Sequence, residues 1–330
     1  MADSIWFWVV FNAFVLAMLA LDLGVFHRTP HRITVREASI WVGVWITLSL
    51  IFNAGIYFVY GRERALEYLT GYVIEYSLSV DNIFVFAVIF SYFSVPSRFQ
   101  HKVLFWGILG ALVMRGIMIL LGTALIARFH WIIYIFGAFL IYTGIRMALR
   151  RDAQMEPGRN PAVRLTRRLF PILKRYHGDR FFVTRAGRRY ATPLLLVLVV
   201  VEATDVVFAL DSIPAIFAIT RDPFIVYTSN VFAILGLRSL YFALRGALDR
   251  FHLLEYGLAL VLIFVGVKML LESWVEIPTT LALGVVVTIL AVAVMLSLLR
   301  PPRAGAPLRF GSDEPPDQST PENNRSQRMS

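Results

Sequence analysis

Glu75, Asp81, Glu202, Asp205 and Asp211 stand inside long apolar runs, and Arg115 and Arg238 stand inside two others. A carboxylate at the centre of a membrane-crossing helix costs roughly 2.5–3.5 kcal/mol on insertion scales. Five of them unpaired would cost on the order of 15 kcal/mol, more than the stability of a typical domain. Such groups require partners, protons, water or a bound cation. Two arginines balance two of the five acids, and the remainder suits protonation or a multivalent ion. Asn82 follows Asp81 and Ser212 follows Asp211, so each aspartate brings a further oxygen ligand. Carboxylates, an amide and hydroxyls are hard oxygen donors that suit Mg2+, Ca2+ or Mn2+. A soft metal would want cysteine, and the chain has none; the six histidines (27, 31, 101, 130, 177 and 252) avoid the centres of the apolar runs, and the nine methionines form no cluster. The competing reading is that these charges are interhelical ion pairs that hold a bundle together, which is preferred for Arg115 and Arg238. Asp22, near the end of the first apolar run, reads as interfacial.

The elements that must position these groups follow from composition. Of 330 residues, 58% are apolar and 16% charged, with a mean hydropathy of +0.66. Soluble globular chains carry about 25% charged residues, so this chain has too little polar surface to face water. It reads as an all-α, polytopic membrane protein. Nine runs are long enough to cross a bilayer: about 5–26, 39–60, 69–93, 103–127, 131–149, 192–219, 225–247, 254–271 and 279–299. The first begins without basic residues or a small-residue cleavage site and reads as a retained helix. Period-2 alternation is missing, which excludes barrel strands. Of the 32 Lys and Arg, 25 fall in alternate loops and the C-terminal tail against 4 in the opposite set, with Arg115, Arg238 and Lys268 inside spans. The positive-inside rule then puts the N-terminus outside and the C-terminus in the cytoplasm. The formal charge of +10 is thereby a topology signal, and no nucleic-acid partner is expected.

A repeat is visible at a constant offset of 122 residues. Arg128-Phe129-His130, Tyr134 and Gly144-Ile145-Arg146-Met147 recur as Arg250-Phe251-His252, Tyr256 and Gly266-Val267-Lys268-Met269. Upstream, Leu109-Gly110 before Arg115 resembles Leu235-Gly236 before Arg238; Val80-Asp81-Asn82-Ile83 resembles Leu210-Asp211-Ser212-Ile213. Glu75 and Asp205 each lie six residues before the aspartate. Each copy holds three helices, so the second must enter the membrane inverted, as in many secondary transporters with a site at the repeat interface. The expected organisation is two N-terminal helices (1–64), a first three-helix repeat (65–149), a basic cytoplasmic loop with a β-hairpin about Gly187 (150–191), a second, inverted repeat (192–272), a ninth helix (273–299) and a disordered tail (300–330). Residues six apart on a straight helix do not share a face. Glu75 and Asp81 therefore line one cavity only if the helix is unwound, and Pro214 beside Asp211 with Ser77 and Ser79 near Asp81 predicts a broken helix at each acidic motif.

Protease, P-loop and dinucleotide signatures are missing: Asp205 follows Glu-Ala-Thr and Asp211 follows Phe-Ala-Leu rather than Gly-x-Gly. An enzyme is not expected.

Ser79-Val80-Asp81-Asn82-Ile83-Phe84-Val85-Phe86 resembles one hallmark of the TerC/Alx family, and the run from Glu202 to Thr220 resembles the other. The run Arg221–Asn230 and the Gly187 hairpin are similar too, and the likeness covers roughly residues 5–299. The resemblance implies a nine-helix protein of the bacterial inner membrane, related to LysE-type transporters, in a family linked to manganese export, alkaline-pH response and tellurium resistance. Carried over, the metal-binding residues are Glu75, Asp81, Glu202, Asp205 and Asp211, with Asn82 and Ser212 adjoining. The function expected is export of a divalent cation, Mn2+ foremost, coupled to protons by alternating access, with the metal as substrate and no resident cofactor. Arg115 and Arg238 balance charge. The alternative is a membrane scaffold that recruits cytoplasmic stress proteins through residues 150–190.

Overall fold

The computed structural model describes residues 5–24, 34–149, 161–173, 175–185, 187–244, 251, 253–275 and 277–299; the side chains of 21–24, 81 and 185 are not described. Asp22, Arg250, His252, the tail 300–330 and the carboxylate of Asp81 therefore lie outside the described residues.

The chain folds as α1 (Ile5–Gly24), α2 (Val35–Tyr60), α3 (Arg62–Tyr92), α4 (Ser97–Arg128), α5 (Ile132–Leu149), α6 (Pro161–Leu169), β1 (Phe182–Arg185), β2 (Arg188–Ala191), α7 (Pro193–Phe217), α8 (Pro223–Leu244), α9 (Leu254–Leu271) and α10 (Thr279–Leu299). Among the described residues, eight helices are long and apolar enough to cross a membrane: α2, α3, α4, α5, α7, α8, α9 and α10; the apolar part of α1 is Ile5–Ala20. In hydrocarbon each backbone group must be satisfied within its own segment, which is why apolar runs of this length become helices. Their starts are chemically marked. Thr34 Oγ1 accepts from Glu37 N at 3.2 Å to cap α2, and Asp222 Oδ1 accepts from Phe224 N at 2.9 Å to cap α8 behind Pro223.

The helices are unbroken where breaks were expected. α3 runs 31 residues through Glu75 and Asp81, and α7 runs 25 through Asp205 and Asp211. The physical reason is local. Pro214 lies three residues from the end of α7, so it removes one amide donor, and Ala218 N bonds Pro214 O at 3.2 Å to close the last turn. In α3, Ser77 Oγ donates to Val73 O at 2.7 Å, a bond made inside the helix rather than in place of it.

α8 is the central post, buried from Phe224 to Phe242, with α2, α3 and α4 packed around it. α3 and α4 pack on α7. α5 and α9 form the most extensive helix pair and run antiparallel, because Gly137 faces Gly266 and Leu270 while Gly144 faces Ala259 and Ile263. Glycine is needed there: a Cβ on Gly266 would sit 2.7 Å from Gly137 O, and one on Gly144 2.7 Å from Ala259 O. The apolar core falls into two clusters. One gathers Ile83, Phe90, Val103, Val197 and Tyr241; the other gathers Tyr68, Ile74, Ile119, Ile213 and Phe232. β1 and β2 pair antiparallel around Gly187, whose φ of +73° suits a residue without Cβ.

Candidate functional site

A charged centre lies between the two apolar clusters, on α3, α4, α7 and α8. Arg115 projects from the middle of α4 and is 2% exposed; Glu75 is 0% and Asp205 5% exposed. The guanidinium grips Asp205 with both prongs, Nη2 to Oδ1 at 2.9 Å and Nε to Oδ2 at 3.1 Å. Its Nη1 pairs with Glu75 Oε1 and reaches Asn230 Oδ1 at 3.3 Å and Ser212 Oγ at 3.4 Å. Bidentate pairing of this kind is the strong form of a charge-assisted bond. Two ionised acids against one guanidinium leave the centre one negative charge in excess. Among the described residues, the other oxygen of Glu75, Asn230 Nδ2 and Ser79 Oγ are buried without a partner, an uncommon state for buried polar atoms.

The remaining sequence candidates are distributed around this centre. Glu202, one turn before Asp205 on α7, lies against Gly110 of α4, and a Cβ on Gly110 would run into its carboxylate. Asp211 is half-buried and faces Thr143 and Arg146 of α5 rather than Arg115. Asn82 is buried on α3. Arg238 is buried on α8 and meets His101 Nε2 at 3.0 Å; with Asp205, Gly107 and Ala111 it lines a cavity of about 10 Å³, room for roughly one water molecule. The structure thus brings together Glu75, Asp205, Ser212 and Arg115, and sets Glu202, Asp211 and Arg238 apart from that contact. Among the described residues no three carboxylates or imidazoles converge as a metal cluster.

Asn230 is the residue that charge counting missed. It is uncharged and sits in an apolar helix, so hydropathy gives it no weight. Glu67 was missed as well: it is buried at the start of α3 and accepts from Arg64 Nη1 at 2.9 Å and Thr220 Oγ1 at 2.7 Å. At that end of the bundle Lys268 Nζ donates to Ala218 O at 2.5 Å and Arg221 pairs with Glu272, so the α7–α8 turn is tied to α3 and α9. At the other end the linker before α7 is tied to the α3–α4 turn. Tyr176 Oη donates to Phe93 O at 2.7 Å, and Lys102 Nζ meets Asp179 Oδ2 at 2.9 Å. That ammonium holds the Asp179 carboxyl below the usual carboxylate range, and burial pushes the Tyr176 phenol up to about 12.

Fold and centre together define a polytopic, all-α membrane protein that keeps a partly compensated charge cluster in the core of its bundle. The chain belongs to the TerC family: the family described as integral membrane protein TerC matches residues 60–304. It is 53% identical over 293 residues to an uncharacterized membrane protein of Myxococcus xanthus, covering 89% of this chain and 92% of that one. It is 50% identical over 299 residues to the "Putative membrane-bound redox modulator Alx" of Escherichia coli K12, covering 88% and 93%. An uncharacterized membrane protein of Rickettsia bellii is 40% identical over 293 residues, covering 89% and 97%. No solved structure matches the chain.

Proposed function

We propose that this protein exports a divalent metal cation, Mn2+ foremost, in exchange for protons, by alternating access between two inverted three-helix units, α3–α5 and α7–α9. The observation that carries this reading is the Glu75–Arg115–Asp205 contact, in which one acid from each unit meets at a single buried cation. Charge balance gives it a mechanism. One divalent ion neutralises two carboxylates; a guanidinium neutralises one of them, and a proton the other. A guanidinium displaced by the ion keeps its own charge, so the loaded centre balances only if a third acid ionises; Glu202, against Gly110 of α4 and one turn before Asp205, would supply that charge, and the exchange is then one divalent ion for two protons. The cation would displace Arg115 from Glu75 and Asp205, with Ser212 and Asn230 as further oxygen donors. All four are hard ligands that suit Mn2+, Mg2+ or Ca2+.

The inverted-unit reading is supported by the α5–α9 seam. The 122-residue offset carries Gly137 onto Ala259, Ile141 onto Ile263 and Gly144 onto Gly266. The Gly137–Gly266 contact then maps onto Ala259–Gly144, and the Gly266–Ile141 contact onto Gly144–Ile263. A two-fold axis between antiparallel helices relates contacts in this way. The ties at both ends of the bundle suit a closed intermediate. The Lys and Arg distribution supports an outside N-terminus in the bacterial inner membrane. The name carried by the Alx relatives speaks of redox, but this chain has no cysteine, so redox effects through its own thiols are closed to it and an indirect effect through metal level is the consistent one.

The test is cellular. Under Mn2+ challenge, cells expressing Asp205→Asn or Glu75→Gln accumulate Mn2+ like cells lacking the protein, while wild type lowers it, read by elemental mass spectrometry. Wild-type export by both variants contradicts the proposal.

A further inference from the structure

Tyr68, Tyr72, Tyr76 and Ser79 stand on the side of α3 that carries Glu75; at about 100° per residue the five fall within an arc of roughly 100°. The rings of Tyr68 and Tyr72 stack with centroids 6.3 Å apart and planes 2° from parallel, and Tyr76 follows Tyr72 at 5.6 Å. Ser49 Oγ of α2 bonds Tyr68 Oη at 2.9 Å and approaches Tyr72 without completing a bond. From there on, among the described residues, Tyr72 Oη, Tyr76 Oη, Ser79 Oγ and the second oxygen of Glu75 are all buried and unpartnered, as is Asn53 Oδ1 one turn from Ser49. An unpaired buried polar group costs about 1–3 kcal/mol, so four neighbours along one helix would cost on the order of 4–12 kcal/mol, as much as a whole domain's stability. Polar groups in that position are satisfied by internal water, which takes two to four partners. Phenol and alcohol hydroxyls both donate and accept, so a file of them can hold successive waters.

We propose that this file is a built hydration site, a row of internal waters along Tyr72, Tyr76 and Ser79 that passes Glu75 and supplies water ligands to a hard cation docked there. Octahedral oxygen coordination needs six donors, more than Glu75, Asp205, Ser212 and Asn230 provide with one oxygen each. Ions of this class keep several waters when bound. The waters' presence stands on the orphaned hydroxyls alone; their role as ligands rests on the transport reading above.

X-ray radiolytic footprinting of the full chain in lipid nanodiscs tests the first part, because radicals formed from bound water oxidise the side chains beside it. Tyr72, 5% exposed, is expected to be oxidised several-fold faster than Tyr227, which is 8% exposed but bonded to Asn12. A Tyr72 rate equal to that of Tyr227 overturns the hydration site. Electron paramagnetic resonance of bound Mn2+ in oxygen-17 water tests the second. Wild type is expected to show broadening from directly bound water, and Tyr72→Phe with Tyr76→Phe, which keeps the rings, is expected to reduce it. Broadening that is unchanged in the variant overturns the ligand role. If Mn2+ fails to bind wild type while Tyr72 is oxidised rapidly, the hydration site stands and the transport reading falls.

Discussion

Arg115 makes contacts with four residues on three other helix segments through one planar group. Replacing it by Leu leaves two buried carboxylates without a counter-charge, and breaking a buried pair from one side costs about 3–5 kcal/mol. Arg115→Leu is therefore expected to lower the thermal unfolding midpoint in nanodiscs sharply. Arg115→Lys restores charge without the two-pronged grip and is expected to recover only part. Removing the charges together, with Glu75→Leu and Asp205→Leu added to Arg115→Leu, is expected to return most of the stability while metal binding is lost; stability that stays as low as in the single variant would show that the charges are not what the site compensates. The charged members of this centre were legible in the sequence because hydropathy makes any carboxylate in an apolar run conspicuous. Asn230 and the tyrosine file were not, since amides and phenols are common in buried helices and only their orphaned atoms single them out. Spacing on an unbroken helix does separate Asp205 from Asp211, one facing Arg115 and the other α5; grouping them rested on the expected break in α7.

At the level of helices, runs of apolar residues marked where the elements lie, whereas the continuity of α3 and α7 was not readable from Pro214 or the serines. A proline near a helix end costs only the one bond it deletes, and a serine hydroxyl can satisfy itself on the carbonyl four residues back, as Ser77 does. The α5–α9 seam makes its own prediction. A leucine at Gly144 would meet Ala259 O and Ile263, whereas one at Gly284 on α10 has open space. Overpacking of a tight contact typically costs about 1–3 kcal/mol. Gly144→Leu is expected to lower the unfolding midpoint and Gly284→Leu to leave it unchanged; equal effects would mean that the seam is not closely packed. The Lys102–Asp179 tie carries a pH dependence of known sign. Its acid is held below the usual range, so the tie contributes at neutral pH and is lost as pH falls through that lowered value, not as pH rises. Both partners are partly exposed, so the effect is small, about 0–1 kcal/mol. Proteolysis of the linker before α7 is expected to quicken only at acidic pH in wild type, and at every pH in Lys102→Gln. Equal rates for the two proteins at neutral pH would deny the tie any part in holding the linker.

The whole molecule is a helical bundle with one buried charged centre and polar ties at both ends, and we propose that it works as two inverted sets of three helices. The class was legible from composition alone, because a chain with 58% apolar residues has too little polar surface to face water. The ties at the two ends were not, since contacts such as Glu67 with Thr220 and Tyr176 with Phe93 join residues remote in sequence. Purified protein in liposomes, with Mn2+ on one side and a proton gradient across the membrane, tests the central claim most directly. The account predicts Mn2+ movement driven by the proton gradient, abolished by dissipating that gradient and absent in Asp205→Asn. Wild-type liposomes no more permeable to Mn2+ than protein-free ones, or an Asp205→Asn variant that transports at the wild-type rate, would contradict it.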